Sequence, residues 1–391
     1  MTLLESLRKE TSVSAGEASA LPFVAYSDPG IYELEIERIF QQDWLALCPA
    51  SSLPAAGDYL AVRIGGEPLV VMRGKDGELR ALSNVCRHRG TLLLDEGFGN
   101  ADRFLCPYHA WSYDQTGALR SVPYPGDIEI VKGDHGLHRY RLEEWAGVIF
   151  VTFSPRAPHL SERLAGLNEH LAHYELERYR FSARPGGLRT WKTNWKLALE
   201  NGMESYHLFK VHRETLETLT PTAAAYYMTG SAPWSLTAGT YAQPGKRVGD
   251  EPAGIRDELE MNNYVLVSIP PTLVGILTPD SWGFISVLPT GPEECVVTGG
   301  ASYPRQPKVR SSRSADFFEA FMEEDRVICE RNQLAMSTRR ARGGRMIQLE
   351  RILVDFHQYL GQRLFDQEPD PLWRSPDCWL PAEPLASPHS R

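Results

Sequence analysis

The sequence predicts an α+β protein, with a small all-β domain followed by a larger domain in which helices cover an antiparallel sheet. Three observations carry this. The 391 residues are too many for one small module and suit one large domain or two ordinary ones. Short apolar runs punctuated by turn residues crowd the stretch 42–154, and helical spacing appears on either side of it. SPRAP at 154–158 reads as a boundary, after which come helices and a second group of strands.

GIYELEIERIFQQDWLA (30–46) carries apolar residues at helical spacing, within an N-terminal segment, 1–41, expected to pack on the larger domain. YLAVRIGGEPLVVM (59–72) and residues 79–85 read as strands, parted by the turn-forming GKDG, and VIFVTF (148–153) closes the small domain. LSERLAGLNEHLAHY and the stretch from Trp191 to about Val211 read as helices. NYVLVSIP, TLVGILT, SWGFISVLP and CVVTGGA, within 264–301, return to strands, expected to form an antiparallel sheet. Helices are expected at about 315–334 and 345–364, then a Pro-rich tail from 366 that wraps or frays. The expected division is 1–41, 42–154 and 155–391, with no internal repeats.

Bulk composition excludes several roles. The formal net charge of −9 argues against general nucleic-acid binding. No run of about 18 apolar residues is present, so no membrane span is expected. MTLLESLRKETSVSAG lacks the basic-then-apolar pattern of a secretory signal, so a cytoplasmic location is expected. The cysteines, Cys48, Cys86, Cys106, Cys295, Cys329 and Cys378, are thinly spread, which in a reducing compartment favours metal binding or buried thiols over disulfides. The basic run RRARGGR (339–345) is read as a solvated loop.

Two constellations carry chemistry. The first is CRHRG and CPYHAW: Cys86-x-His88, 17 residues, then Cys106-x2-His109. Each Cys/His pair can hold one metal from a tight turn, with Gly90 and Pro107 turning the backbone. A Cys2His2 zinc site would use the same four residues. An iron–sulfur cluster with one iron on two thiolates and the other on two imidazoles would use one Cys and one His from each loop. The second constellation is NWKLALENGMESYHLFKVH (194–212), with Asn201, Glu204, His207 and His212. Glu204 and His207, three apart, would be neighbours on a helix face. His207 and His212, five apart, diverge by roughly 140° on a regular helix, so the helix must end or bulge if both bind one metal. Two histidines and one carboxylate would make the facial triad of Fe(II) oxygenases.

These segments resemble the aromatic-ring-hydroxylating (Rieske non-haem iron) oxygenases. CRHRG and CPYHAW look like the family's Rieske centre, with Ala110 where glycine is more frequent. Respiratory Rieske proteins carry an additional disulfide; the matching positions here are Thr91 and Tyr108, which points to the oxygenase type. Residues 201–212 follow the family pattern Asn-x2-acid-x2-His-x4-His. The resemblance makes Cys86, His88, Cys106 and His109 ligands of a [2Fe–2S] cluster, and His207 and His212 ligands of a mononuclear Fe(II). It takes the third ligand from EEDRVICE, where Asp325 stands among Glu323, Glu324 and Glu330. It gives Glu204 the place that bridges a Rieske histidine of one subunit to His207 of the next, and Asn201 a positioning role. The resemblance spans roughly 40–335. It implies a terminal oxygenase that uses O2 to hydroxylate a small organic substrate, an arene or a quaternary amine, with glutamate at 204 pointing to the latter.

The implied assembly is a homotrimer. The chain has no G-x-G-x-x-G after a strand, so electrons come from a separate NAD(P)H-dependent flavin reductase or ferredoxin. The region 219–300 is expected to line much of the pocket, and Tyr226, Tyr227, Trp234, Tyr241, Tyr264, Trp282 and Phe284 are each read as part of a cage for a trimethylammonium group, as a ring stacking on an aromatic substrate, or as core. Two alternatives differ in class: a Rieske electron carrier in which the second constellation is idle, and a colourless, zinc-stabilised binding protein.

Overall fold

The computed structural model of the chain describes residues 1–179, 181–182, 187–242, 262–279, 281–304 and 312–367. The Pro-rich tail beyond 367 and Cys378 lie outside the described residues, as does 243–261 within the expected pocket region. Helix α1 (Leu3–Glu10) starts at a capping box in which Thr2 and Glu5 satisfy each other's backbone N–H. Helix α2 (Pro29–Glu35) starts with Pro29 at its first position and Asp28 accepting from the Ile31 N–H at 2.9 Å. One π-helical stretch, Ile36–Phe40, comes next. The helical reading of 30–46 therefore ends early. Residues 43–50 are all buried, and a run apolar on every side suits an interior strand rather than a one-faced helix.

That run holds strand β1 (Leu45–Pro49). After it come β2 (Asp58–Ile64), β3 (Glu67–Arg73), β4 (Leu79–Ser83), β5 (Gly97–Asn100), β6 (Phe104–Leu105), β7 (Ser112–Tyr113), β8 (Leu119–Ser121), β9 (Arg139–Trp145) and β10 (Val148–Thr152). Seven form one antiparallel sheet, ordered β1-β10-β9-β4-β3-β2-β5. β6, β7 and β8 make a small separate sheet. A core of its own lies between them, including Val70, Met72, Leu82, Phe104, Trp111 and Tyr113, together with Cys86 and Cys106.

Helices α3 (Leu160–Arg163) and α4 (Ala165–Leu171) lead into β11 (Phe181–Ser182) and β12 (Arg189–Trp191). Helix α5 (Trp195–Met203) and the short α6 (Leu208–Val211) come next. The remaining strands are β13 (Ala225–Ser231), β14 (Trp234–Thr240), β15 (Asn263–Ile269), β16 (Leu273–Thr278), β17 (Ser281–Gly291) and β18 (Glu294–Tyr303). They form an antiparallel sheet ordered β11-β18-β17-β16-β15-β14-β13, with β12 also on β18. The strands within 264–301 stand as read; the hairpin β13–β14 was not anticipated. Helices α7 (Ser312–Gln333) and α8 (Arg351–Phe365) close the described chain. α8 starts six residues later than expected, because Ala18 and Ala20 bond the backbone of Met346 and Gly344 and hold that stretch extended.

One face of this second sheet carries Trp234, Leu236, Val265, Val267, Trp282 and Phe284, packed against α3 and α4. The opposite face lies under α5: a Cβ on Gly202 would sit 3.4 Å from Val274 and 3.6 Å from Ile285. The N-terminal segment docks beside α5. Glu35 accepts from Lys196 Nζ at 2.6 Å and Trp195 Nε1 at 2.7 Å, a fully buried ion pair. Among the described residues, no helix is long and apolar enough to cross a membrane.

Candidate metal centres

The first centre rests on two loops of matching design. In the loop after β4, the Cys86 N–H donates to Thr91 O at 2.8 Å and the Gly90 N–H to Cys86 O at 3.1 Å. In the loop after β6, the Cys106 N–H donates to Trp111 O at 2.8 Å and the Ala110 N–H to Cys106 O at 3.0 Å. The fourth position after each cysteine is left-handed: φ is +76° at Gly90 and +56° at Ala110. Both turns thereby present a buried cysteine and a histidine to each other. The rings of His88 and His109 meet edge to face at 4.7 Å. His88 stacks on Trp111 at 4.8 Å, and His109 lies against Tyr108 at 3.7 Å.

The chemistry of these donors fits a thiolate–imidazole cluster. Burial opposes ionisation of Cys106, yet the N–H groups of His109 and Tyr108 hold its thiol below the usual value. Tyr113 Oη lies 3.4 Å from Cys86 Sγ and accepts from the Arg87 N–H at 3.0 Å. Desolvation and the neighbouring His88 and Arg89 keep His109 below its ordinary value, as a neutral ligand requires. Its Nδ1 is buried without a hydrogen-bond partner, the state expected of a nitrogen reserved for a metal.

The second centre sits where α5 stops. Asn194 caps its start, accepting from the Lys196 N–H at 2.9 Å. Glu204 leaves the helix in an extended conformation, φ −113° and ψ 161°. Its carboxylate then accepts from the N–H groups of Tyr206 and His207, the latter at 3.2 Å, at the foot of α6. A break at Glu204 thus separates α5 from α6, and the helix end expected between His207 and His212 falls at the close of the one-turn α6, which His207 precedes and His212 ends at φ −102° and ψ 31°. The expectation that Glu204 and His207 share a helix face is replaced by this turn: Glu204 Oε1 meets His207 Nδ1 at 2.6 Å from outside any helix.

Helix α7 supplies the third group. Asp325 Oδ1 lies 2.8 Å from His212 Nε2 and 3.5 Å from His207 Nε2. One ligand atom from each of His207, His212 and Asp325 falls within 4.8 Å of the others. Asn201 Nδ2 donates to Asp325 Oδ1 at 2.7 Å. His212 is fully buried and its Nδ1 meets Glu324 Oε2 at 2.7 Å, while Thr215 Oγ1 donates to the same oxygen at 2.6 Å. Each histidine thus has its Nδ1 held by a carboxylate and its Nε2 aimed at one shared point, the arrangement that fixes metal-ligating imidazoles. Burial opposes charge on His207, but Glu204 and Asp325 overcome it and push the imidazole up to about 10. Burial likewise opposes ionisation of Asp325, and the two histidines hold it down at about 2. Three carboxylates around two imidazoles make a pocket suited to a divalent cation.

Every site residue expected from the sequence falls into one of these two groups. Glu324 and Thr215 were not anticipated as members; Glu324 was legible only as one acid among several, and nothing in its spacing pairs it with His212. Glu323 and Glu330 instead pair with Arg326. Of the seven aromatics, Trp234, Trp282 and Phe284 are core on the far face of the sheet. Tyr227 is tied to Asp355 at 2.9 Å beneath Arg351. One aromatic ring beside the second centre is Phe321, edge-on to His212 at 6.3 Å. Leu266, Ile276 and Ile285 are half-buried on the face that α5 covers.

A thiolate–imidazole loop pair joined to a two-histidine, one-carboxylate site defines a Rieske non-haem iron oxygenase, with a [2Fe–2S] cluster and a mononuclear iron as cofactors. The Rieske [2Fe-2S] domain model matches residues 43–132. The model of the ring-hydroxylating alpha subunit, catalytic domain, matches residues 169–366, and the chain belongs to that family. It is the terminal component of an oxygenase system and takes its electrons from a donor. A glycine betaine monooxygenase oxygenase subunit of Chromohalobacter salexigens is 28% identical over 361 residues, 82% of this chain and 80% of that protein. A biphenyl 2,3-dioxygenase subunit alpha of Rhodococcus jostii is 37% identical over 183 residues, 45% of this chain and 39% of that protein. A solved quaternary ammonium Rieske monooxygenase, described in connection with carnitine oxidation and inter-subunit electron transfer, is 25% identical. It aligns with a TM-score of 0.75 over 89% of this chain and 96% of its own.

Proposed function

We propose that this oxygenase hydroxylates a C–H bond beside nitrogen in a small quaternary-amine substrate, so that a methyl group leaves as formaldehyde. The observation that carries this is the extent of the likeness: the glycine betaine relative aligns over 82% of the chain, the biphenyl relative over 45%. Glutamate rather than aspartate at 204 and the aliphatic row Leu266, Ile276 and Ile285 support it. The test is loaded enzyme with a reductant, O2 and a panel of glycine betaine, carnitine, choline, biphenyl and naphthalene. O2-dependent formaldehyde from an amine is the expected result; a diol or phenol from an arene without it overturns the reading.

In this reading Cys86, His88, Cys106 and His109 hold the cluster, and His207, His212 and Asp325 hold the iron. When bound, the cluster supplies electrons one at a time and the iron activates O2 for hydroxylation. The chain's own residues orient the site. Glu204 and Glu324 keep Nδ1–H on His207 and His212, which leaves each Nε2 free to bind metal. Asn201 fixes Asp325 so that one carboxylate oxygen faces both rings. Glu204 is also the group that meets His109 of a neighbouring copy, in a closed ring of three chains served by a separate NAD(P)H-dependent flavin reductase or ferredoxin. The division into 1–41, 42–154 and 155–391 belongs to the same reading, as does a cytoplasmic location.

The pairing between chains has its own test. Chains carrying Cys106→Ser and chains carrying Asp325→Ala are each expected to be inactive alone. Mixed and reassembled, they should recover activity, because an intact cluster then faces an intact iron site. No recovery from mixtures proven to co-assemble would end the inter-chain reading.

A further inference from the structure

The face of the second sheet that lies under α5 is not sealed. Leu266, Ile276 and Ile285 stay half-buried there, whereas Val265, Val267, Leu277 and Phe284, which alternate with them on the other face, are closed off. Strand register lays a polar margin along this apolar floor. Thr237 stands directly opposite Leu266, and Leu266 opposite Ile276. Tyr264, two residues before Leu266, points to the same side. Its hydroxyl lies over Gly239, where any side chain would collide with it. Gly239 is two residues past Thr237 on β14, so the phenol and the Thr237 hydroxyl share that face. Ser205 faces them from the turn between α5 and α6, two residues before His207, and lies beside the Tyr264 phenol. Thr222 Oγ1 donates to the Ser205 carbonyl at 3.2 Å and holds that turn.

Ser205, Thr237 and Tyr264 are buried, yet none of their hydroxyls makes a hydrogen bond of regular geometry with a described residue. Burial pushes the Tyr264 phenol up to about 12, so it stays protonated and able to donate. A buried polar group left unpaired is costly and calls for a partner. Three of them border one accessible apolar floor beside a metal centre, which is the arrangement of donors awaiting an acceptor on a ligand. The metal end has the opposite character. Glu204, Glu324 and Asp325 crowd His207 and His212, and these three carboxylates outweigh the charge of one divalent metal. A ligand that spans both ends is held with its cation toward the carboxylates and its acceptor toward the hydroxyls.

We propose that Ser205, Thr237 and Tyr264 bind the carboxylate of a zwitterionic substrate in which a short chain joins that carboxylate to a quaternary ammonium group. The inference rests on the quaternary-amine reading above and narrows it to ammonium carboxylates. The three hydroxyls share the one acceptor group, and the ammonium methyls lie along Leu266, Ile276 and Ile285 toward the metal. An arene of the same size fits the floor but leaves the donors dry and unpaired, which selects against it.

The test uses the full-length chain with cluster and iron loaded, kept without O2 or reductant so that nothing turns over. Calorimetry then compares glycine betaine with tetramethylammonium, which carries the cation and no carboxylate. Wild type is expected to bind glycine betaine about tenfold more tightly than tetramethylammonium. Tyr264→Phe and Thr237→Val are each expected to weaken glycine betaine by about tenfold and to leave tetramethylammonium within about twofold. Neither hydroxyl has a partner in the free protein, so both variants should unfold at the wild-type temperature or above it, which a role in holding the fold would not give. Equal loss for both ligands, or loss for neither, overturns the carboxylate site. If amines release formaldehyde on turnover while both variants bind as wild type does, the quaternary-amine reading stands and this inference alone fails. A wild type that binds neither ligand and forms a diol from an arene overturns both.

Discussion

Ala110 and Gly90 hold equivalent places in the two cluster loops, both left-handed, but only glycine takes that conformation without cost. Ala110→Gly is therefore expected to stabilise the small domain by about 1 kcal/mol. The thermal midpoint for bleaching of the cluster, read against wild type, checks this. Tyr113 faces Cys86 Sγ in the same domain. A hydroxyl donating to a thiolate favours the reduced, more negative cluster. Losing a hydrogen bond of about 1 kcal/mol in Tyr113→Phe should lower the one-electron potential by on the order of 40 mV. A potentiometric titration that found no fall would show that the contact leaves the sulfur's charge untouched.

At the scale of elements, the decisive feature is the interruption between α5 and α6. A continuous helix would turn His207 and His212 apart. α6 is instead a single turn that closes at His212, and the extended Glu204 before it places that turn so that both rings face Asp325 on α7. Glu204→Ala removes the acceptor for two N–H groups and the partner of His207 Nδ1. It is expected to weaken iron retention by about 10–100-fold with the cluster spectrum unchanged. Iron per chain, measured after dialysis against a chelator, checks this; full retention would mean that the turn is held without the carboxylate.

At the scale of the whole molecule, Asp43 ties distant parts of the chain together. Arg163 Nη2 reaches it at 3.1 Å, Arg363 Nη2 at 2.8 Å and Tyr359 Oη at 2.8 Å, beside β1. Burial opposes its charge, but Arg163 and Arg363 outweigh that and hold its pKa below the usual 3.8. A depressed folded pKa contributes stability that is present above the unfolded value and lost as pH falls through the folded one. Asp43→Asn leaves Arg163 buried without its counter-charge and should cost about 3–5 kcal/mol near neutrality. Wild type should lose this contribution below pH 3.8, so the gap between the two denaturation curves narrows as acid is added.

The fold class and the paired cysteine and histidine groups were legible in the chain because each pair is a short local motif: Cys86-x-His88, Cys106-x2-His109 and His207-x4-His212 each lie within one turn or one helix end. The need for a break between His207 and His212 was also legible, since helix geometry forbids the alternative. The further break at Glu204 was not, because it depends on that carboxylate accepting from the N–H groups at the foot of α6. Nor were Glu324 and Phe321, which reach His212 from α7, or Thr215, which meets Glu324 from the turn after α6; contacts across more than a hundred residues leave no periodicity to read. The hairpin β13–β14 was missed because its two faces are buried by α3 and α4 on one side and α8 on the other, all distant in the chain. For Trp234, Trp282 and Phe284 strand register was decisive: it turns these rings to the face that meets α3 and α4. Local spacing therefore determined what could bind metal, and only the packing of α5, α7 and the sheet decided which carboxylates and rings surround it, because those neighbours are chosen by long-range contacts rather than by sequence period.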